Sequence, residues 1–294
     1  MLSSVTVHAP AKINMALRVG GARPDGYHPL TTVFCALDLA DEIVVAPAEG
    51  LSLTITGNDL VVDDNNLALR AARALHDHTG MDYGATITID KKIPVAGGMA
   101  GGSADAAGTL VALNELWELG LSHADLHGLA AGLGSDVPFG LVGGLALGTC
   151  RGENLLPISP RAFQSWVLVT DSDGLSTPDV FRHYDLLHPE PHEPADVDDL
   201  TEALGSDSVA EVAGLLINDL AEPAFTIRPD LRELFERLEG AGIATVLSGS
   251  GPTIGILCES DTAADALAGV LRQEGLSTLR ADGPAAGAHV VRSS

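Results

Sequence analysis

Between residues 94 and 104 the chain reads Pro94-Val95-Ala96-Gly97-Gly98-Met99-Ala100-Gly101-Gly102-Ser103-Ala104, with four glycines in six consecutive positions. Residues of strand period, ATITIDK, precede this turn, and apolar residues at helical spacing, SADAAGTLVALNELWEL, follow it. Glycines at a strand-to-helix turn let several backbone N–H groups converge. The free start of the helix adds a partial positive charge, so the chemistry that suits the turn is the holding of a polyphosphate. It is not a Walker P-loop, because Ser103 and Ala104 stand where Lys and then Ser or Thr are required. Nor does an acidic residue close a second strand at the distance a dinucleotide-binding βαβ unit needs. A turn of this kind also serves to pack a helix tightly against a strand, and the glycines alone do not decide between the two roles.

Charge narrows the choice of ligand. Forty acidic residues against sixteen basic ones give a net charge of −24, which argues against a surface for nucleic-acid backbones. An anionic ligand has to be gripped locally, by backbone N–H groups and a nearby cation, and salt limits the reach of distant carboxylates to about 8 Å. The cations are therefore informative: the lysines are Lys12, Lys91 and Lys92, and all three flank segments that could do chemistry. Cys35, Cys150 and Cys258 are odd in number and far apart, and read as reduced core residues. His183, His188 and His192 lie in a Pro-rich acidic stretch without metal-ligand spacing, so no structural zinc is expected.

Four further segments accompany the glycine turn: Ala9-Pro10-Ala11-Lys12-Ile13-Asn14, Pro24-Asp25-Gly26-Tyr27-His28, Leu133-Gly134-Ser135-Asp136-Val137-Pro138-Phe139 and Leu247-Ser248-Gly249-Ser250-Gly251-Pro252-Thr253. In this order, from residue 5 to about 260, the set resembles the GHMP kinase superfamily of galactokinase, homoserine kinase and mevalonate kinase. PAKINMALRVGGARPDGYHPL is similar to the N-terminal signature of the branch whose acceptor is a cytidine diphosphate-linked polyol. Residues 185–210 carry no pattern of that family.

The resemblance implies an α+β, two-domain GHMP kinase fold with a left-handed βαβ unit in the N-terminal domain and a ferredoxin-like C-terminal domain. It implies ATP as co-substrate with Mg2+, and transfer of a phosphoryl group to a hydroxyl. Lys12 and Asp136 would be the catalytic pair, with Asp136 taking the hydroxyl proton and Lys12 keeping that carboxylate ionised. ATP would lie on Pro94 through Ala104 and beside Asn66 and Leu67. The acceptor would meet Asn14, Tyr27, His28, Thr177, Phe181, Gly249, Ser250 and Gly251, with its cytosine between two aromatic rings. No acidic pair identifies ligands for the metal; Ser103 and Asp105 are the candidates. Each residue also has a plainer role open to it: Lys12 as a surface lysine, Asp136 and Asn66 as helix caps, Phe181 as a core anchor. Another kinase of the superfamily, or a ligand-binding protein that kept the fold without the activity, remains an alternative.

Elements that could position these residues follow from periodicity. Strands are expected at SVTVHA, INMALRV, TTVFCAL, EIVVAPA, LSLTITG and ATITIDK, with one helix, NLALRAARALHDHTG, stopping at Gly80. A helix from about Ser103 to Leu119, a second at HADLHGLAAGLG and a strand at GGLALGT come next, and residues 151–164 read as a connection. A strand WVLVTD, helices within 198–240, strands AGIATVLSG and TIGILCES, a helix DTAADALAGVLRQEG and two last strands suggest a second α+β layer. The boundary is placed near residue 160, giving an ATP-binding domain over 1–160 and a C-terminal domain over 161–294. Residues 185–207, rich in Asp, Glu, Pro and His, read as a mobile surface excursion. MLSSVTVHAPAKINMAL has no leader-like apolar core, and FGLVGGLALG is far short of the ~20 residues of a membrane span. A cytoplasmic enzyme of small molecules is expected, as a monomer or homodimer, with no membrane and no nucleic acid among its partners.

Overall fold

In a computed structural model of the chain, which describes residues 2–57, 62–81, 83–95 and 97–294, the short strands expected at the start fuse in pairs. SVTVHA and INMALRV form β1 (Val5–Val19), and TTVFCAL and EIVVAPA form its antiparallel partner β2 (Leu30–Pro47). The seam in β1 falls at Pro10, which has no N–H to give to the ladder. The register shifts between Pro10 and Lys12, and again between Asn14 and Ala16, so the strand is bulged on both sides of its lysine. β3 (Leu51–Thr56), α1 (Leu67–Thr79) and β4 (Ala85–Asp90) make a βαβ unit, with β3 and β4 as parallel neighbours. α1 stops where expected, at Gly80, whose left-handed φ of 68° turns its N–H onto the His76 carbonyl.

α2 (Gly101–Leu116) begins directly out of the glycine turn, followed by α3 (His123–Leu133), α4 (Val137–Val142), β5 (Leu145–Cys150) and β6 (Asn154–Ile158). β5 pairs with β2 and β6 with β5, so the stretch taken as a connection holds an edge strand. Exposed on most of its length, it lacks the apolar alternation by which strands are read. α2 is buried nearly all round, which its small residues permit. A Cβ at Gly108 would run into Ile43, and one at Gly140 of α4 would stand 2.8 Å from the Ala107 Cβ. That close approach sets the start of α4, with Asp136, beside the start of α2.

The remaining elements are β7 (Gln164–Thr170), α5 (Thr177–Leu187), α6 (Asp198–Ala203), β8 (Ile217–Asn218), α7 (Ala221–Ile227), α8 (Pro229–Leu238), β9 (Ala244–Leu247), β10 (Ile254–Cys258), α9 (Asp261–Gln273), β11 (Ser277–Gly283) and β12 (His289–Ser293). The second sheet runs β11-β7-β10-β9 and is antiparallel throughout, the strand order of a ferredoxin-like unit. Alternate residues of β7 face two cores. Trp166 and Leu168 join the cluster over the first sheet, while Val167 and Val169 join the cluster under α5, α7 and α9. β8 and β12 return to β1, so a single cut near residue 160 does not sort the strands by sheet.

Two expectations change. Cys150 is exposed, unlike Cys35 and Cys258, because it closes β5 with a left-handed φ of 65° that turns the chain out of the sheet. The acidic stretch is not a free excursion: α5 and α6 occupy its two ends, and the His192 carbonyl accepts from Gly21 N at 2.8 Å. His192 Nε2 reaches the Tyr184 hydroxyl at 2.9 Å, and that hydroxyl donates to the Val19 carbonyl. Among the described residues no helix is long and apolar enough to cross a membrane.

Candidate active site

A cleft of about 1210 Å³ is lined by β1, β2, the starts of α1 and α2, the junction of α3 and α4, α5 and the turn at Gly249 and Ser250. The bulges of β1 decide what reaches it. Displaced from the ladder, Lys12 donates its backbone N–H to the Met99 carbonyl at 3.3 Å, which ties β1 to the glycine turn. Its ammonium donates to the Gly98 carbonyl at 2.9 Å and to the Asn14 side-chain oxygen, and stands 3.8 Å from Asp136 Oδ2. Asn14 is held in turn, donating to the Thr32 hydroxyl at 2.9 Å, and Thr32 donates to the Ala16 carbonyl at 2.6 Å. The Lys12 side chain is 6% exposed. Burial lowers its pKa below the ordinary lysine value, against the opposing charge of Asp136. Asp136 sits at the N-cap position of α4 but makes no cap hydrogen bond, so its carboxylate is free to face the lysine and the cleft. The plainer roles of both residues are thereby set aside.

The turn itself is shaped for an anion. Gly98 has a φ of 73° and Ala100 one of 57°, and Ala100, as N-cap of α2, gives that helix no side-chain hydrogen bond. The first-turn N–H groups of α2 are left uncapped, and Gly101, Gly102 and Ser103 line the cleft there. A Cβ on Gly102 would meet only Leu67, at 3.7 Å, so there is room over the turn. The turn is clamped from behind by residues 248–253, the hairpin between β9 and β10. Ser248 Oγ donates to the Gly98 carbonyl at 3.0 Å, and a Cβ on Gly98 would collide with the Ser248 carbonyl. Asn218 fixes that hairpin, donating to the Leu247 and Gly249 carbonyls at 2.7 Å each.

Beneath the turn lies a second buried lysine. Lys91 Nζ is 2.5 Å from Asp41 Oδ2 and 2.8 Å from Asp105 Oδ2. Asp41 Oδ1 also accepts the backbone N–H groups of Lys92 and Ile93 at 2.6 and 2.9 Å, which fixes the exit of β4. Burial would depress the Lys91 pKa, but the two carboxylates outweigh it and hold the ammonium above its usual value. Asp105 is pushed up to about 7, chiefly by its burial. Its Oδ1, lodged in the lining of the cleft, is buried without a partner among the described residues.

At the other end of the cleft Tyr27 is 54% exposed, with the Arg151 guanidinium 5.2 Å from its ring centroid. His28 bonds Asp185 at 2.7 Å and stacks against Phe181 with ring centroids 4.7 Å apart. Phe181 thus packs on the core and lines the cleft as well. Thr177 and Ser250 join hydroxyls at 2.8 Å across the same wall. Asn66 accepts from Ala68 N at 2.9 Å as the cap of α1 and also lines the cleft, with Leu67, so its two roles coexist.

The structure brings Lys12, Asn14, Tyr27, His28, Asn66, Leu67, Pro94, Val95, Gly97, Gly98, Ala100 to Ser103, Asp136, Thr177, Phe181, Gly249 and Ser250 to one cavity. Met99, Ala104 and Gly251 are buried behind its lining, and Ala96 lies outside the described residues. Sequence reasoning missed Asp41, Thr32, Arg151, Asp185 and Asn218. None of them carried a local signal, since each acts through a contact with a distant segment.

Residues 66–144 match the GHMP kinases N terminal domain, and residues 200–276 match the GHMP kinases C terminal family. A 4-diphosphocytidyl-2-C-methyl-D-erythritol kinase of Mycolicibacterium smegmatis is 50% identical over 98% of this chain and 92% of its own. One from Nocardia farcinica is 49% identical over 98% and 97%. A crystal structure of 4-(cytidine 5'-diphospho)-2C-methyl-D-erythritol kinase superposes with a TM-score of 0.80 at 32% identity, covering 95% of this chain and 99% of that one. A homoserine kinase from Cytophaga hutchinsonii reaches a TM-score of 0.75 at 19% identity, a likeness of fold.

Proposed function

The chain belongs to the 4-diphosphocytidyl-2-C-methyl-D-erythritol kinase family of GHMP kinases, and on that premise we propose that it moves the γ-phosphoryl group of ATP to the 2-hydroxyl of 4-diphosphocytidyl-2-C-methyl-D-erythritol. The products are ADP and the 2-phosphate, within non-mevalonate isoprenoid precursor synthesis. The observation that carries this reading is the position of Lys12 Nζ, in contact with the Gly98 carbonyl and 3.8 Å from Asp136 where the start of α2 opens into the cleft.

In this reading the polyphosphate lies over the uncapped N–H groups of α2, with adenine toward Asn66 and Leu67. The cytosine stacks between Tyr27 and Phe181, and the polyol reaches toward Asn14 and Asp136. As the hydroxyl oxygen bonds to the γ-phosphorus, the bond from that phosphorus to the bridging oxygen breaks and ADP leaves with the pair. Asp136 takes the hydroxyl proton. In a loose transition state little proton removal is needed until late, so a carboxylate serves as base, and positioning with charge stabilisation supplies most of the rate. Lys12 offsets the negative charge that gathers beside Asp136. The orphaned Asp105 Oδ1 and the Ser103 hydroxyl suit a hard cation that keeps most of its waters, so they would hold Mg2+, which neutralises phosphate charge when bound. Residues 1–160 are proposed as the ATP-binding domain and 161–294 as the C-terminal one. Both substrates are small molecules, and the enzyme is placed in the cytoplasm, as a monomer or homodimer.

ADP release in the presence of the methylerythritol substrate tests the proposal. Asp136→Ala is expected to lower kcat about a thousandfold while ATP binding, read by calorimetry, persists. Turnover retained in that variant would remove Asp136 from the mechanism, and no protection by cytidine nucleotides would favour another acceptor.

A further inference from the structure

The acceptor end of the cleft contains an acid–imidazole pair that the transfer itself does not use. His28 Nε2 lies 2.7 Å from Asp185 Oδ1. An ionised carboxylate accepts and cannot donate, so Nε2 carries the hydrogen; in the neutral ring Nδ1 is then left with a lone pair. The ring is not free to exchange its two nitrogens. It lies against Phe181 with centroids 4.7 Å apart and meets Tyr184 edge-on at 87°, and any flip would break the bond to Asp185. The His28 side chain is only 8% exposed, it lines the cleft, and among the described residues its Nδ1 has no hydrogen-bond partner.

We propose that Asp185 is a specificity-setting positioning residue: by fixing the tautomer of His28, it makes Nδ1 an acceptor for the exocyclic amine of cytosine. The inference rests on the acceptor reading above, which puts that base beside Tyr27 and Phe181. Cytosine offers an N–H donor at its 4-position, where uracil offers a carbonyl oxygen. A fixed lone pair rewards the first and faces the second with an unpaired, desolvated acceptor, which is the kind of mismatch that discriminates strongly. Asp185 does this without touching the substrate, in the way that the outer partner of a histidine commonly sets which nitrogen is protonated. Its position eight residues beyond Thr177 on α5 places it one side of the same helix as Phe181, so the stacking ring and the tautomer control come from one element.

The test uses CDP and UDP as inhibitors competing with the acceptor, against the whole enzyme and its Asp185→Ala, Asp185→Asn, His28→Ala and His28→Ala/Asp185→Ala variants. The unmodified enzyme should prefer CDP. Asp185→Ala should weaken CDP about tenfold and UDP by less than about twofold, and should raise the KM for the acceptor more than it changes the KM for ATP. Asp185→Asn keeps the size of the side chain and lets an amide N–H face Nε2, so its CDP to UDP ratio should also contract; it serves if the alanine variant folds poorly. The double variant should be no weaker than His28→Ala, because both changes remove one interaction. Equal loss of CDP and UDP, losses that add in the double variant, or an unchanged ratio in both Asp185 variants would overturn the assignment. Indifference of the unmodified enzyme to CDP would instead defeat the acceptor reading itself.

Discussion

Two buried lysines stand on either side of the glycine turn, and their surroundings assign them opposite work. Lys91 is saturated: two carboxylates lie within 2.8 Å of its ammonium, and its charge is spent on holding the exit of β4 against the second turn of α2. Lys12 is undersupplied. Its nearest carboxylate is 3.8 Å away, its other partners are a carbonyl and an amide oxygen, and burial works against its charge. A cation that is desolvated and incompletely paired attracts a further negative group, which a phosphoryl group in transfer supplies. On the proposed reading, the difference is that closeness to the glycine turn does not by itself suit a lysine to the transfer, whereas an unmet demand for negative charge does.

The widest separation between the two should come from truncation. Lys12→Ala is expected to lower kcat by about a hundredfold to a thousandfold while the unfolding midpoint in urea moves little. Lys91→Ala should act on the fold, costing about 3–5 kcal/mol in urea denaturation, because Asp41 and Asp105 are left buried without a counter-charge. A Lys91→Ala enzyme of unaltered stability would break the comparison.

Proton linkage sharpens it. Folding raises the Asp105 carboxyl to about 7, above its value near 3.9 in the unfolded chain, so between these values the native state binds more protons. The contribution of Asp105 to stability is therefore full below pH ~4 and is lost as pH rises through about 7. Subtracting the Asp105→Asn curve from that of the unmodified protein should give a difference that declines over this range; a flat difference would show that Lys91 holds Asp105 ionised throughout. The smallest effect is expected at the nucleotide end. Asn66→Ala should cost about 1 kcal/mol through the lost cap of α1 and raise the KM for ATP a few-fold, with kcat unmoved.

Much of the candidate site is legible in the sequence, for particular reasons. The glycine turn, Lys12, Asp136 and the Ser248 hairpin are short, local patterns that gain their roles together, through the family resemblance, since each alone also has a plain structural reading. The helix stop at Gly80 and a second α+β layer followed from punctuation and period, whereas its ferredoxin-like order came only from the family resemblance. What stayed hidden depends on contacts between distant segments. Nothing near Asp41 shows that it meets Lys91 across fifty positions, and nothing near Asn218 shows that it braces a hairpin thirty residues later. The fusion of strands in β1 was hidden for another reason: Pro10 reads as a terminator, yet here it is accommodated by a bulge, and that bulge is what aims Lys12.

β12 lies against β1, the strand that carries Lys12, so one edge of that strand is covered at Val5–His8 by residues from the other end of the sequence. On the ribosome some 280 residues separate the two partners, so about fifteen seconds to a minute of synthesis passes between the emergence of β1 and that of its last neighbour. Until then the edge of β1 at Val5–His8 is bare, a row of unpaired backbone groups open to wrong pairing.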